Sequence, residues 1–351
     1  MRLFLGIVAL SLALAGRAEA EPIFQTVNVP GATSTEVTGV SESGNEITGS
    51  YMLTPSGPAQ GFVLTQDTNQ FQTVNVPGAA STRVEGISAS GNEITGSYML
   101  TQGGPAQGFV LMRDTNQLQT INVPGAASTN VEGISATGNE ITGSYMLTQG
   151  GPAQGFVLMQ NTNQFQTVNV PGAASTVVTG VSENGNEIAG SYMLTQGGPE
   201  QGFLLMRDTN QFQTINVPGA ASTNVEGISA NGNQITGSYM LTQSGPAQGF
   251  ILMRDTNQTL TVNVPGAAST NVEAISANGN EITGSYTLTQ DGPRQGFVAT
   301  SVPEAATLVL MVSGVLGMAA YAKRVGGGAT RTGRRRTRPG NPPRARRGSR
   351  A

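Results

Sequence analysis

Apolar and polar residues alternate in short runs along most of this chain, and turn-forming residues separate the runs. Between Phe71 and Met112 the alternation predicts strands over Phe71–Val76, Val84–Ser88, Glu93–Leu100 and Gln107–Met112. In the third run Ile94, Gly96, Tyr98 and Leu100 share one face, and Thr95, Ser97 and Met99 the other, a period of two that no helical stripe has. Pro77-Gly78 ends the first run, and Ala89-Ser90-Gly91-Asn92 turns the second into the third. Thr101–Pro105 makes a wider loop, and Asp114-Thr115-Asn116-Gln117 leads into the next unit. Such short connections imply antiparallel neighbours.

The whole pattern returns every 47 residues without insertion: the run at Phe24 recurs at Phe71, Leu118, Phe165, Phe212 and Thr259. Three landmarks keep the same count of six, namely Pro-Gly from Pro30 to Pro265, Gly-Ser-Tyr from Tyr51 to Tyr286, and Gly-Phe from Phe62 to Phe297. A four-stranded sheet of this size cannot bury both its faces alone, and radial stacking about an axis solves that problem. The expected fold is therefore all-β, a six-bladed β-propeller over residues 21–300. A β-helix would need shorter rungs and parallel strands, and helical repeats have no support.

Glycines within strands, as at Gly86 and Gly96, read as packing positions near the narrow inner part of each blade. Tyr98 and Phe109 then fill the space between neighbouring blades rather than stacking on sugars. Two closures remain open at this stage. Phe24–Val29 can join the last blade as its outer or inner strand, or six unshared blades can close through side chains alone.

Both ends depart from the repeat. Residues 1–20 carry Arg2, an apolar run from Leu3 to Gly16 and a small-x-small site at Ala18–Ala20, as in a secretory signal helix. Residues 305–322 hold no charge and, as a helix, span about 27 Å at ~1.5 Å per residue, enough for a transmembrane helix. Residues 301–304 form a short linker before it. Lys323-Arg324 and a basic tail over 323–351 follow, so the tail is expected in the cytoplasm and the repeats outside.

The net charge of -3 hides a segregation: residues 21–300 hold 19 acidic side chains and five arginines, while residues 323–351 hold 11 basic side chains and no acid. Beside a membrane segment, that basic tail is read as a contact for anionic lipid, and nucleic acid is not expected as a partner.

The chain has no His and no Cys, and its only Lys, Lys323, lies beyond the apolar segment. Histidine bases, thiol nucleophiles, imidazole or thiolate metal sites and disulfides are excluded. Carboxylate-pair glycan cleavage stays chemically open. Glu85 with Glu93, Glu132 with Glu140, and Glu273 with Glu281 are each eight residues apart; Glu226 faces Gln234, and Thr38 and Thr179 precede Glu46 and Glu187. Near-identical copies argue for a solvent-facing structural role for these acids over catalysis, since catalysis needs one preorganised site.

Asp67, Asp114, Asp208 and Asp255 open the D-T-N loops, with Asn161 in the third unit, and read as turn formers. No cofactor is expected; weak calcium binding is the one metal chemistry left open. Arg83, Val177, Glu200, Arg294 and the run Thr259–Thr261 each occur in one unit only, and on one rim they would make a unique patch.

Two resemblances follow. Val302, Pro303, Glu304, Ala305 and Ala306, then the apolar run to Ala322 and Lys323-Arg324, resemble the PEP-CTERM sorting signal of Gram-negative bacteria, with Ala305 where that motif has its second Pro. That resemblance implies export and handling by an exosortase-like processing enzyme at the membrane. Val74–Ala79, Val84–Ser88, Gly91–Tyr98 and Gly108–Leu111 are similar to HAF-type extracellular repeats, which implies extracellular placement and no known catalytic constellation. The leading expectation is an exported cell-surface scaffold, without catalysis, that contacts exopolysaccharide or a surface protein. The alternative is a carboxylate-dependent glycan-cleaving enzyme.

Overall fold

The computed structural model describes residues 22–300. The expected signal peptide, sorting motif, transmembrane helix and basic tail lie outside those residues. Among the described residues no helix is long and apolar enough to cross a membrane.

Twenty-four strands form six four-stranded antiparallel sheets. Strand β1 (Phe24–Val27) comes first, and blade one then comprises β2 (Ser34–Val40), β3 (Glu46–Met52), β4 (Gln60–Thr65) and β5 (Gln70–Val74). Blade two repeats it as β6 (Ser81–Ile87), β7 (Glu93–Met99), β8 (Ala106–Met112) and β9 (Gln117–Ile121). Blade six contains β22 (Ser269–Ile275), β23 (Glu281–Thr287) and β24 (Gln295–Thr300), and its fourth strand is β1, with Phe24 opposite Ala299. The clasp is thus the outer strand of the last blade, one of the closures left open above.

The first strand of each blade lies innermost. Besides β2, β6 and β22 these are β10 (Ser128–Ile134), β14 (Ser175–Val181) and β18 (Ser222–Ile228), and each touches the next around the ring, enclosing a central bore. In blade two the inner strand starts at Ser81, three residues before the apolar run. Ser81 and Thr82 are buried, the Thr82 hydroxyl accepting from the Val76 amide at 3.1 Å, while Arg83 is exposed.

Hydrophobic cores sit between blades. Val63 of blade one packs with Val84, Ile94, Tyr98 and Phe109 of blade two, and Phe109 is wholly buried. The Tyr98 hydroxyl donates to Gln107 Oε1 at 3.0 Å and lies 3.3 Å from Thr120 Oγ1, so the buried ring keeps its polar tip paired. The packing role expected for Tyr98 and Phe109 holds. Glycine is required at Gly96, where a Cβ would stand 2.0 Å from the Arg83 carbonyl oxygen of the adjoining inner strand.

Each inner strand carries a β-bulge at one repeat-equivalent position. In β6 the pairing steps from Val84 opposite Gly96 to Gly86 opposite Thr95, leaving Glu85 as the extra residue. The same shift leaves Thr38, Glu132, Thr179, Glu226 and Glu273 as the extra residues of the other five inner strands. A bulge re-aims its side chain and strengthens the local twist, and here it separates the residue from the buried ladder on either side.

Candidate functional site

The bulges bring Thr38, Glu85, Glu132, Thr179, Glu226 and Glu273 to one level of the ring. Read in blade order this is Thr-Glu-Glu-Thr-Glu-Glu, a twofold repeat laid over the sixfold one. Blades two and five stand across the ring from each other, as do three and six. Glu85 therefore opposes Glu226, Glu132 opposes Glu273, and the two threonines oppose each other. Both threonines turn sideways: Thr38 Oγ1 donates to the Val84 carbonyl at 2.7 Å and Thr179 Oγ1 to the Val225 carbonyl at 3.0 Å.

The four glutamates are half-buried, keeping some water contact along the bore while protein walls them in. Loss of hydration is the main force on each. For Glu85 that burial, with the charges of Glu132 and Glu273 and against the pull of Arg83, pushes the carboxyl up to about 8. Burial also pushes Glu226 well up, aided by Glu273, Glu132, Glu200 and Glu85. The second glutamate of each run is held back. Glu132 is raised by burial, but the Ser144 hydroxyl and Arg83 favour its charged form. Glu273 is raised by burial to about 7, with the Ser285 hydroxyl donating to its Oε1 at 3.3 Å.

Each half of the ring thus pairs a carboxyl pushed up by burial and like charge with a neighbour whose own rise is opposed by a serine hydroxyl. That division suits general acid–base work. Among the described residues no three carboxylates are placed to share one metal ion.

The partners expected eight residues away do not join this site. Glu93, Glu140, Glu187 and Glu281, with Glu46 and Gln234, stand at the starts of second strands and point into the joints between blades. A Cβ on Gly138, in the first turn of blade three, would collide with Glu93 Oε2. At three joints an arginine of the following blade meets the acid. Arg113 Nη1 donates to Glu46 at 2.5 Å and to the Gly91 carbonyl at 2.7 Å. Arg207 reaches Glu140 at 2.6 Å and Gly185 at 2.8 Å, and Arg254 reaches Glu187 at 2.6 Å and Gly232 at 2.5 Å.

At the joint between blades two and three, Gln160 binds the Gly138 carbonyl but does not reach the acid. Gln66 does likewise with Gly44 at the closure joint. Glu93 Oε2, Glu281 Oε2 and Gln234 Oε1 are buried without a hydrogen-bond partner, and burial raises both acids, for Glu93 with the charge of Asp114 added. A solvent-facing role, expected for all these glutamates, fits neither set: one lines the bore and the other fills the joints.

The D-T-N loops are turns, as expected. Asn116 adopts φ 52°, and the Asp114 amide donates to Asn92 Oδ1 at 3.0 Å, tying together two turns on one face. On the opposite face Arg83 and Arg294 both meet Glu36, Arg83 at 3.5 Å. Val177 and Glu200 lie in blade four on that face, across the ring from blade one, so the four singular residues do not form a single patch.

No family model matches the chain, and no curated protein does. Solved structures do match. The chain is similar to a putative TolB from Agrobacterium tumefaciens at 14% identity, covering 77% of this chain and 91% of that one with a TM-score of 0.51. It is also similar to the β-propeller domain of Cps50 (Swd1) from Myceliophteria thermophila, at 10% identity over 80% of this chain and 100% of that one, TM-score 0.48. An oligogalacturonate lyase in complex with manganese matches at 9% identity over 82% and 98%, TM-score 0.46. At such identities the likeness concerns the fold alone.

Proposed function

We propose that the protein is an exported cell-surface propeller that cleaves an extracellular glycan through the glutamates of its bore. One observation carries this reading: six equivalent bulges deliver two adjacent pairs of carboxyls to one enclosed space, and each pair joins a strongly raised group to one held by a serine hydroxyl. At neutral pH Glu85 keeps its proton and serves as general acid to the leaving glycosidic oxygen. Glu132, whose rise the Ser144 hydroxyl and Arg83 oppose, is the partner that in its deprotonated form activates water or attacks the anomeric carbon. Glu226 and Glu273 repeat the arrangement across the bore.

Export rests on the leader at residues 1–20 and on the PEP-CTERM-like segment from Val302, and an exosortase-like enzyme and the membrane are the partners that segment implies. Mass spectrometry of the mature C-terminus tests it: a tail intact beyond Lys323 sinks the processing step.

The cleavage test is the appearance of new reducing ends when the purified full chain meets a panel of bacterial exopolysaccharides. A glycan retained without product contradicts the acid–base reading. Retention without product is what a non-catalytic scaffold predicts, and one observation favours that second reading. Leu53, Leu100, Leu147, Leu194, Leu241 and Leu288, one per blade in the loop after the second strand, are each 49–56% exposed and form an apolar crown on one face. Six weak contacts from such a crown gain strength together on a polysaccharide or surface protein that spans them.

A further inference from the structure

The described residues contain five arginines, and three of them are committed to the blade joints on the face of the S-G-N turns. The other two, Arg83 and Arg294, come from different blades and converge on Glu36 at the opposite mouth of the bore. In a body this acidic, drawing both remaining cations to one spot makes the only concentration of positive charge on that face among the described residues. Neither arginine is used up by Glu36. Their side chains are 50% and 48% exposed while that of Glu36 is 18% exposed. Two guanidinium groups offer ten N–H donors, and one carboxylate accepts about four.

The surroundings are shaped for a sugar. Arg294 lines a cavity of about 390 Å³ between blades five and six, which runs from the wide loops inward to Asn271 and Ser285. Ser285 is the residue whose hydroxyl holds Glu273 in the bore, so the cavity ends beside the carboxyls. Arg83 stands two residues before Glu85 on the same inner strand, and its charge acts on both Glu85 and Glu132. The polar lining, with Ser244, Asn271 and Gln290, has the amide and hydroxyl groups that hydrogen-bond pyranose rings. Asp291 also lines the cavity, exposed in the β23–β24 loop, and is the one acid in its lining.

We infer that this mouth binds a carboxylate-bearing sugar, a uronic acid unit of an acidic glycan, with Arg83 and Arg294 gripping the carboxylate and the cavity holding the adjoining unit. The inference rests on the glycan reading above and names its substrate class. A planar carboxylate matches the guanidinium fork in a way that a neutral sugar cannot. Position 83 is Glu36, Asn130, Val177, Asn224 and Asn271 in the other blades, and position 294 is alanine in four of them and Glu200 in the fifth. The grip therefore exists once in the ring.

The test is calorimetric binding of tetragalacturonate, and of the same tetrasaccharide with its carboxyls reduced to alcohols, to the full chain carrying Glu85→Gln so that no turnover intervenes. The acidic tetrasaccharide is expected to bind at least tenfold more tightly than the reduced one, with affinity falling as salt rises. Arg83→Ala combined with Arg294→Ala is expected to remove that preference. Glu36→Gln, which frees both guanidinium groups without deleting either, is expected to tighten binding several-fold.

Equal affinity for the two tetrasaccharides, no binding of the acidic one, or a folded double variant that binds unchanged overturns the inference. Selective binding of the acidic form without reducing ends from the unsubstituted chain would leave this site standing and sink cleavage alone. Cleavage of neutral glycans with no acidic preference would do the reverse.

Discussion

Glu132 and Glu140 belong to one repeat and stand eight residues apart, yet the bore and the blade joints treat them differently. In the joint, Glu140 is met by Arg207 at 2.6 Å, and the loss of hydration is offset by a cation and a neighbouring carbonyl that share it. In the bore, burial raises Glu132 without an ion pair among the described residues, and only the Ser144 hydroxyl and the charge of Arg83 oppose that rise. A buried acid with a fixed cation behaves as a structural tie. A buried acid among other acids retains its proton at higher pH and is available for chemistry. The two sets of glutamates divide the work of the molecule between holding the ring and acting at its axis.

The largest expected effect comes from breaking the bore. Glu85→Gln or Glu132→Gln should lower reducing-end release about 100-fold or more, the usual scale for a lost acid or base. Melting temperature should not fall, because each change removes a poorly solvated ionisable group. A parallel loss of stability would mean that the bore acids are ties like those of the joints. Next in size, Arg207→Ala leaves Glu140 half-buried and unmatched, and urea unfolding should report a loss of about 2–3 kcal/mol with cleavage retained.

The pH dependence sharpens the contrast. Glu85, Glu226, Glu273, Glu93 and Glu281 all have folded-state values above their ordinary one, so the folded chain binds more protons than the unfolded chain between those values. Stability should therefore be fullest below about pH 4.5 for these groups and decline as pH rises through about 7 and 8. Repeated thermal scans across that window check it; a rise over the same interval would contradict it. The smallest effect should be a gain: Gln160→Arg places at the joint of blades two and three the arginine that Glu93 lacks. About 1 kcal/mol of added stability is expected, most evident at higher pH where Glu93 is charged. No gain would show that the unmatched oxygen costs little.

Much of the ring was legible in the chain because the 47-residue period repeats turns as faithfully as apolar residues. The strands, the blade number and the interblade Tyr98 and Phe109 follow from that. The bulge was not legible, since Val84-Glu85-Gly86 continues an alternating pattern and only the paired strand shows that the register slips. Without the bulge, Glu85 and Glu93 look like a cross-strand pair, which is why the bore went unseen.

The joint ties were missed for another reason. Glu46 and Arg113, Glu140 and Arg207, and Glu187 and Arg254 lie 67 residues apart, one period plus 20, so each contact joins neighbouring copies. The signal was present in the arginine that precedes D-T-N in only some units, with Gln66 and Gln160 in the same place elsewhere.

The most direct test of this division is a carbon-detected NMR titration of the Glu85 side-chain carboxyl in the intact protein, with Glu85→Gln to assign the signal. Neutralisation of a buried acid beside other acids predicts a midpoint about pH 8. A midpoint near the ordinary glutamate value of ~4.3 would place Glu85 in free water and remove the basis for chemistry in the bore.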